Sequence, residues 1–225
     1  GSQLHIGEVR TDGEENLITA LQIAAERRPD GTPMVREVAI LFENYLWRGN
    51  RATKRSADNF NAFKSNNYPA LAKIGLGIHY DTDALSSDTA GTGLTPRYEL
   101  DRNVISIDLF PGLSEGVLRH QLDTPGIKGI VLRTFGAGNG PTWEWFIRAI
   151  REAVDRGLVI LNVTQCVNGG VHTNRYVGGD DITTEAALTK MMFLFGLGLD
   201  TEEVKRRLGL PIAGELSLNN DKPLP

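Results

Sequence analysis

The sequence predicts an α/β protein of two domains built on doubly wound parallel sheets. Three observations lead there. Short apolar runs alternate with amphipathic helical stretches over residues 101–225, the pattern of a parallel sheet wrapped by helices. A tract of small polar residues over 81–100 has no hydrophobic period and reads as a linker. Gly supplies 25 of the 225 residues, above the usual ~7%, which suits many tight strand-to-helix turns. The expected domains are residues 1–80 and 101–225, joined by a linker over 81–100.

Asp12 and Gly13 carry helix-start chemistry, and Leu17, Ile18, Leu21, Ala24 and Ala25 recur at helical spacing. Pro29, Asp30, Gly31 and Pro33 end that helix. Residues 37–42 read as a buried strand, 56–74 as helical pieces around Phe60, Phe63 and Leu71, and 74–79 as a short strand. Beyond the linker, strands are expected over 104–110, 127–134 and 158–163. Ser114 caps a helix reaching Leu122, and Pro141 opens one whose apolar face is Trp143, Phe146, Ile147, Ile150 and Val154. Thr183 opens another, and Asp200 with Glu203 forms a capping box before Val204 and Leu208. In such sheets ligands sit beyond the carboxyl ends of the strands, here at 111–112, 136–141 and 164–166.

Composition excludes several classes. Apolar residues at 40% and charged residues at 23% are globular values. A net charge of −4 offers no broad basic surface, so nucleic acid is not an expected partner. One cysteine cannot form an internal disulfide, which points to a reducing, cytoplasmic setting. No apolar run reaches the ~18 residues of a membrane span. His5, His79, His120 and His172 lack metal-ligand spacing, and no metal is expected.

Four segments carry candidate chemistry. Residues 136–141 follow a strand and suit anion binding at a helix start, but Pro141 holds the last slot of a dinucleotide fingerprint, and a plain tight turn is favoured. Arg48, Asn50, Arg51 and Lys54 surround Gly49 and could donate to an anion; composition alone favours a solvated basic loop. Cys166 could be a thiol nucleophile with His172 as base, although a buried, inert cysteine is commoner. Asp180 and Asp181 read as helix capping rather than an acid–base pair.

Taken together, collinear segments give a sharper reading. They are Gly1, Ser2 and Gln3; residues 10–17; residues 48–54; Phe60 to Phe63 with Asn67, Tyr68 and Pro69; Phe110, Pro111 and Gly112; residues 136–141; residues 162–166; and Thr183 to Ala186. In this order the chain resembles the cytoplasmic, type I bacterial L-asparaginases. The resemblance implies a two-domain α/β fold, no cofactor, a homodimer or homotetramer, and hydrolysis of L-asparagine to aspartate and ammonia by a threonine nucleophile. It places the lysine of a threonine–aspartate–lysine triad on Lys54 and a neighbouring site threonine on Thr53; Ala52 stands where the family has another threonine. It also implies a regulatory asparagine site drawing on Arg133, Thr134, Phe135, Thr164 and Cys166.

Two departures matter. The T-G-G-T-I and H-G-T-D-T segments that carry the family's threonines and aspartate are not among these residues. The expectation is an incomplete first domain and a chain that is inactive alone. The connection over 171–181 is also shorter than the family's. Three other readings stand beside this one: the asparaginase-like subunit of a tRNA-dependent amidotransferase, a non-catalytic asparagine-binding or assembly module, and, resting on 136–141, a dinucleotide oxidoreductase.

Overall fold

A computed structural model describes residues 1–86, 96–171 and 177–217. The chain divides into two compact units, Gly1–Leu94 and Thr95–Pro225.

In the first unit, helix α1 spans Gly13–Ala25. Asp12 sits at its N-cap, but its carboxylate reaches backward to the N–H groups of Gln3 (2.9 and 3.0 Å) and Leu4 (3.1 Å) and to Asn16 Nδ2 (3.0 Å). Thr11 Oγ1 takes the Gly13 N–H instead, at 2.9 Å. Only part of the expected apolar face is covered. Ile23 is buried with Ala20 packed beside it, while Leu17, Ile18 and Leu21 are exposed.

The strands of this unit are β1 (Ala39–Phe42), β2 (Tyr45–Arg48), β3 (Ala52–Lys54), β4 (Phe63–Ser65), β5 (Ala72–Ile74) and β6 (Ile78–Tyr80). They form a four-stranded sheet of order β1-β2-β5-β6 and a separate β3-β4 pair, antiparallel throughout. The expectation of parallel sheets in both domains is therefore corrected for this unit. A two-residue turn at Glu43 and Asn44 joins β1 to β2, far too short for a parallel crossover. The helical pieces expected over 56–74 are irregular segments and the short strands β4 and β5 instead. Pro69, Gly75 and Gly77 cut the segment below the length that offsets helix nucleation, while β2 and β3 offer edges to pair with. Ala84 and Leu85 pack in this unit's core with Leu41, Leu46 and Leu71, so residues 81–86 are folded rather than extended linker; residues 87–95 lie outside the described residues.

The second unit holds the parallel sheet, of order β10-β9-β8-β7. Its elements are β7 (Val104–Asp108), α2 (Glu115–Leu122), β8 (Gly129–Thr134), α3 (Glu144–Asp155), β9 (Val159–Thr164), β10 (Val177–Gly178), α4 (Thr184–Gly196) and α5 (Thr201–Leu208). Strands β8 and β9 are almost wholly buried because both faces are covered. On one face Ile107, Ile130, Leu132 and Ile160 pack against Leu118, Phe146 and Ile150 of α2 and α3. On the other, Val131, Val159 and Leu161 meet Met191, Leu194, Val204 and Leu208 of α4 and α5.

The caps follow the sequence. Ser114 Oγ accepts from Val117 N, Thr183 Oγ1 from Ala186 N and Asp200 Oδ1 from Glu203 N. Glu203 does not complete a capping box, because Arg206 and Arg207 hold its carboxylate at 2.6–2.8 Å. Asp180 and Asp181 do not cap α4, since Thr183 does. Asp180 adopts a left-handed φ of 46°, and Asp181 accepts from Ser217 N at 2.8 Å. Lys190, in the middle of α4, donates to Leu208 O (3.0 Å), Leu210 O (2.6 Å) and Glu215 (2.6 Å), so the tail after α5 is tied to α4. No described helix is long and apolar enough to cross a membrane.

Candidate functional site

Polar chemistry gathers in two places, one in each unit. In the first unit Arg48 closes β2. Its Nε and Nη2 bind the two carboxylate oxygens of Glu37, and Nη2 also donates to Ala84 O at 3.2 Å. Tyr68 Oη donates to the same carbonyl at 2.9 Å, and Ser86 N–H to Glu37 Oε1 at 2.7 Å. The guanidinium carbons of Arg48 and Arg51 lie over the Tyr68 ring, 4.3 and 5.0 Å from its centroid. Both arginines are buried. Burial works against the Arg48 charge, but Glu37 outweighs it and leaves the guanidinium more firmly protonated than usual.

The basic run is therefore neither the solvated loop that composition favours nor an anion cradle. A single 3-10 turn, Gly49–Arg51, converts β2 into β3 and turns the two arginines inward. Lys54 ends β3 opposite Phe63 and is exposed; Thr53, half-buried, stands opposite Lys64. The structure thus separates one outward cation from two internal ones. Glu37, which the candidate residues omit, is signalled only by a lone carboxylate directly ahead of an apolar strand.

In the second unit the three strand ends are stitched together at the carboxyl edge of the sheet. Gln165 Nε2 donates to Leu109 O (2.7 Å) and Arg133 O (2.8 Å), bridging the ends of β7 and β8. Thr134 Oγ1 donates to Asn162 Oδ1 at 2.6 Å, and Asn162 Nδ2 to Gly138 O at 3.1 Å. Thr164 Oγ1 donates to Gly136 O at 2.5 Å and accepts from Cys166 N at 3.0 Å. Gly136 and Gly138 adopt φ of 51° and 100°, a region where a side chain is strained. The resulting loop closes on itself, with the N–H groups of Gly138 and Asn139 both donating to Phe135 O. Those two donors are engaged inside the loop, and α3 starts only at Glu144, so Pro141 is not its first residue.

Of the expected regulatory-site residues, Thr134 is fully buried, with its hydroxyl held by Asn162. Thr164 is buried and holds the loop. Arg133 Nη1 pairs with Asp108 Oδ2 at 2.7 Å, and Phe135 is exposed. Cys166 is exposed rather than buried as expected; His172 lies outside the described residues. Phe110, Pro111, Phe135, Asn139, Gly140, Pro141, Thr142 and Trp143 line an open cleft of about 380 Å³ beside these residues. Among the described residues no cluster of His, Cys, Asp and Glu could hold a metal.

Comparison with known proteins gives two family-model matches, the N-terminal asparaginase domain over residues 1–86 and the glutaminase/asparaginase C-terminal domain over residues 103–208. L-asparaginase 1 of Escherichia coli (strain K12) is 37% identical over 96% of this chain and 65% of its own length. The 60 kDa lysophospholipase of Homo sapiens is 36% identical over 96% of this chain and 39% of its own. The crystal structure of L-asparaginase I from Vibrio cholerae superposes with a TM-score of 0.88 at 33% identity, covering 97% of this chain and 66% of that one. A more distant relative, at 27% identity over 96% of this chain and 54% of its own length, is a glutamyl-tRNA(Gln) amidotransferase subunit of Methanococcus maripaludis. The chain thus spans less than two thirds of the length of the bacterial relative and well under half of the human one.

Proposed function

Since the chain belongs to the asparaginase family, we propose that its protein hydrolyses L-asparagine to L-aspartate and ammonia, with Lys54 as the proton-accepting member of a threonine–aspartate–lysine triad. The observation that carries this reading is the arrangement of residues 48–54. The two arginines are locked over Tyr68, and Lys54 is the cation presented outward at the end of β3. Amide hydrolysis needs an activated hydroxyl, a base and donors for the developing oxyanion. A lysine amine sharing its proton with an aspartate supplies the base. The threonine segments are not among the 225 residues, so the chain by itself supplies the lysine and the scaffold and is inactive.

Ammonia release from asparagine tests this directly. The 225-residue chain alone should release none. Supplied with an N-terminal segment carrying T-G-G-T-I and H-G-T-D-T from the E. coli relative, it should turn over, and Lys54→Met should abolish that turnover. Activity of the chain alone, or a fully active Lys54→Met complex, overturns the assignment.

The surroundings of Arg133, Phe135 and Cys166 support asparagine as a regulatory ligand at the carboxyl edge of the second unit. Thr134 and Thr164 serve there as supports of the loop, since their hydroxyls are engaged. Asparagine titrated into labelled chain should shift the Phe135 and Cys166 amide signals, and unmoved signals count against this site. The net charge of −4 favours a free enzyme over a tRNA-dependent subunit, and a cytoplasmic setting fits the single cysteine.

A further inference from the structure

Helix α1 buries only two of its residues, and one of them is polar. Asn16 is buried along with Ile23, while Leu17, Ile18 and Leu21 stay in water. A buried amide has to find partners. Asn16 Nδ2 donates to Gly1 O at 2.7 Å and to Asp12 Oδ2 at 3.0 Å. Asp12, at the N-cap, leaves the first turn of its own helix unserved and takes the N–H groups of Gln3 and Leu4 instead. Both side chains are thus spent on residues 1–4. That turn reaches Lys54 along two routes. Gln3 Nε2 donates to Ala57 O, in the bend that follows Lys54. Among the described residues, every other hydrogen bond of the bend 55–62 closes inside it. On the second route, a Cβ on Gly1 would stand 3.0 Å from the Phe42 ring, and Phe42 meets Phe63 with ring centroids 5.1 Å apart. Phe63 stands directly opposite Lys54, so the two side chains share a face of the β3–β4 pair.

We propose that Asp12, Asn16 and Gln3 are positioning residues for Lys54. Asp12 and Asn16 fix the backbone of residues 1–4, and the Gln3 amide carries that constraint to Ala57. The bend so anchored sets the direction in which Lys54 leaves β3. Without the Gln3 bond, hydrogen bonds fasten the bend only at its own neck, where Arg55 N–H donates to Ala62 O at 2.7 Å. Proton transfer needs donor and acceptor within hydrogen-bond reach, and a displacement of about 1 Å is enough to slow it severely. This role rests on Lys54 being the triad lysine; the anchoring of the bend does not.

Two measurements test it. The first uses the 225-residue chain alone. Gln3→Met keeps the reach of the side chain and removes its donor. It should speed amide hydrogen exchange several-fold at Arg55, the neck of the bend. Asp12→Asn and Asn16→Leu act further back and should each shift the Ala57 amide signal. Unchanged exchange at Arg55 in Gln3→Met, or an unmoved Ala57 signal in both other variants, overturns the proposal without bearing on the triad. The second uses the chain supplied with the T-G-G-T-I and H-G-T-D-T segment. There Gln3→Met should lower kcat about ten- to a hundredfold with KM and the urea midpoint unchanged, a split that a merely structural bond would not produce. If Lys54→Met is inactive and Gln3→Met keeps its kcat, the positioning role falls and the triad stands. If Lys54→Met is fully active, the triad reading itself falls and the positioning role goes with it.

Discussion

Glu37 and Arg48 form a buried ion pair at the foot of the β1–β2 hairpin, and the same carboxylate receives the Ser86 N–H. Removing one member leaves the other charged and out of water, which costs about 3–5 kcal/mol. Glu37→Ala should therefore destabilise the first unit by that order, read as a lower urea midpoint for the Trp47 fluorescence transition. A loss under ~1 kcal/mol would mean that Arg48 relaxes into solvent.

Lys190 and Glu215 make a second buried pair that fastens the tail after α5. Burial pushes the Glu215 carboxyl up, but Lys190 and the Ala213 N–H outweigh it and hold it below its ordinary value. A carboxyl whose folded value is depressed stabilises the fold fully above its unfolded value near 4.5, and this is lost as pH falls through the folded value. Acid unfolding of the second unit should thus set in below about pH 4.5. Glu215→Gln should flatten that acid limb and lower stability at pH 7; an unchanged acid limb would remove Glu215 from the account.

Glu203 offers a cleaner titration because it stands at the surface. Arg206 first, then Arg207, hold its carboxyl down at about 2. A carbonyl-detected NMR titration should find its midpoint there. The Arg206→Ala, Arg207→Ala double variant should move the midpoint up toward the ordinary 4.5. A midpoint already near 4.5 in the unaltered chain would show that these ion pairs do not persist in solution.

Gly196 ends α4 where a Cβ would stand 2.3 Å from the Glu99 carbonyl oxygen. Backbone cannot yield as a flexible side chain does, so Gly196→Ala should cost about 1–3 kcal/mol. It should also free the Asp101 N–H from Met192 O, where it donates at 3.0 Å. Faster hydrogen exchange at Asp101 is the measurement, and unaltered exchange would contradict the close approach.

How much of this is legible in the sequence depends on the range of the interaction. In the second unit the apolar runs at Ile130, Leu132 and Ile160 and the caps Ser114, Thr183 and Asp200 are local signals, and strands, helices and their order follow from them. In the first unit, 63–65 and 72–74 are three-residue strands whose identity comes from partners outside any local period, Thr53 for Lys64 and Tyr45 for Lys73. The same holds for the site. Lys54 is marked by its segment, yet the inward turn of Arg48 and Arg51 depends on Glu37 and Tyr68, distant in sequence. Thr134 and Thr164 are legible as polar groups at strand ends; that their hydroxyls face the loop rather than open water is a matter of packing.

The connection between β9 and α4 is closed by two bonds at its neck, Val171 N–H to Asp180 O at 2.9 Å and Gly179 N–H to Asn162 O at 2.8 Å. Gly170 lets the two sides meet, since a Cβ there would lie 2.6 Å from the Asp180 carbonyl oxygen. A neck clasped in this way holds its two ends together whatever the length between them, while β10, inside it, still pairs with β9. Loop-closure entropy changes only slowly with loop length, so residues can be gained or lost inside the neck at small thermodynamic cost. Variation in length is then expected inside the neck rather than at the clasp itself.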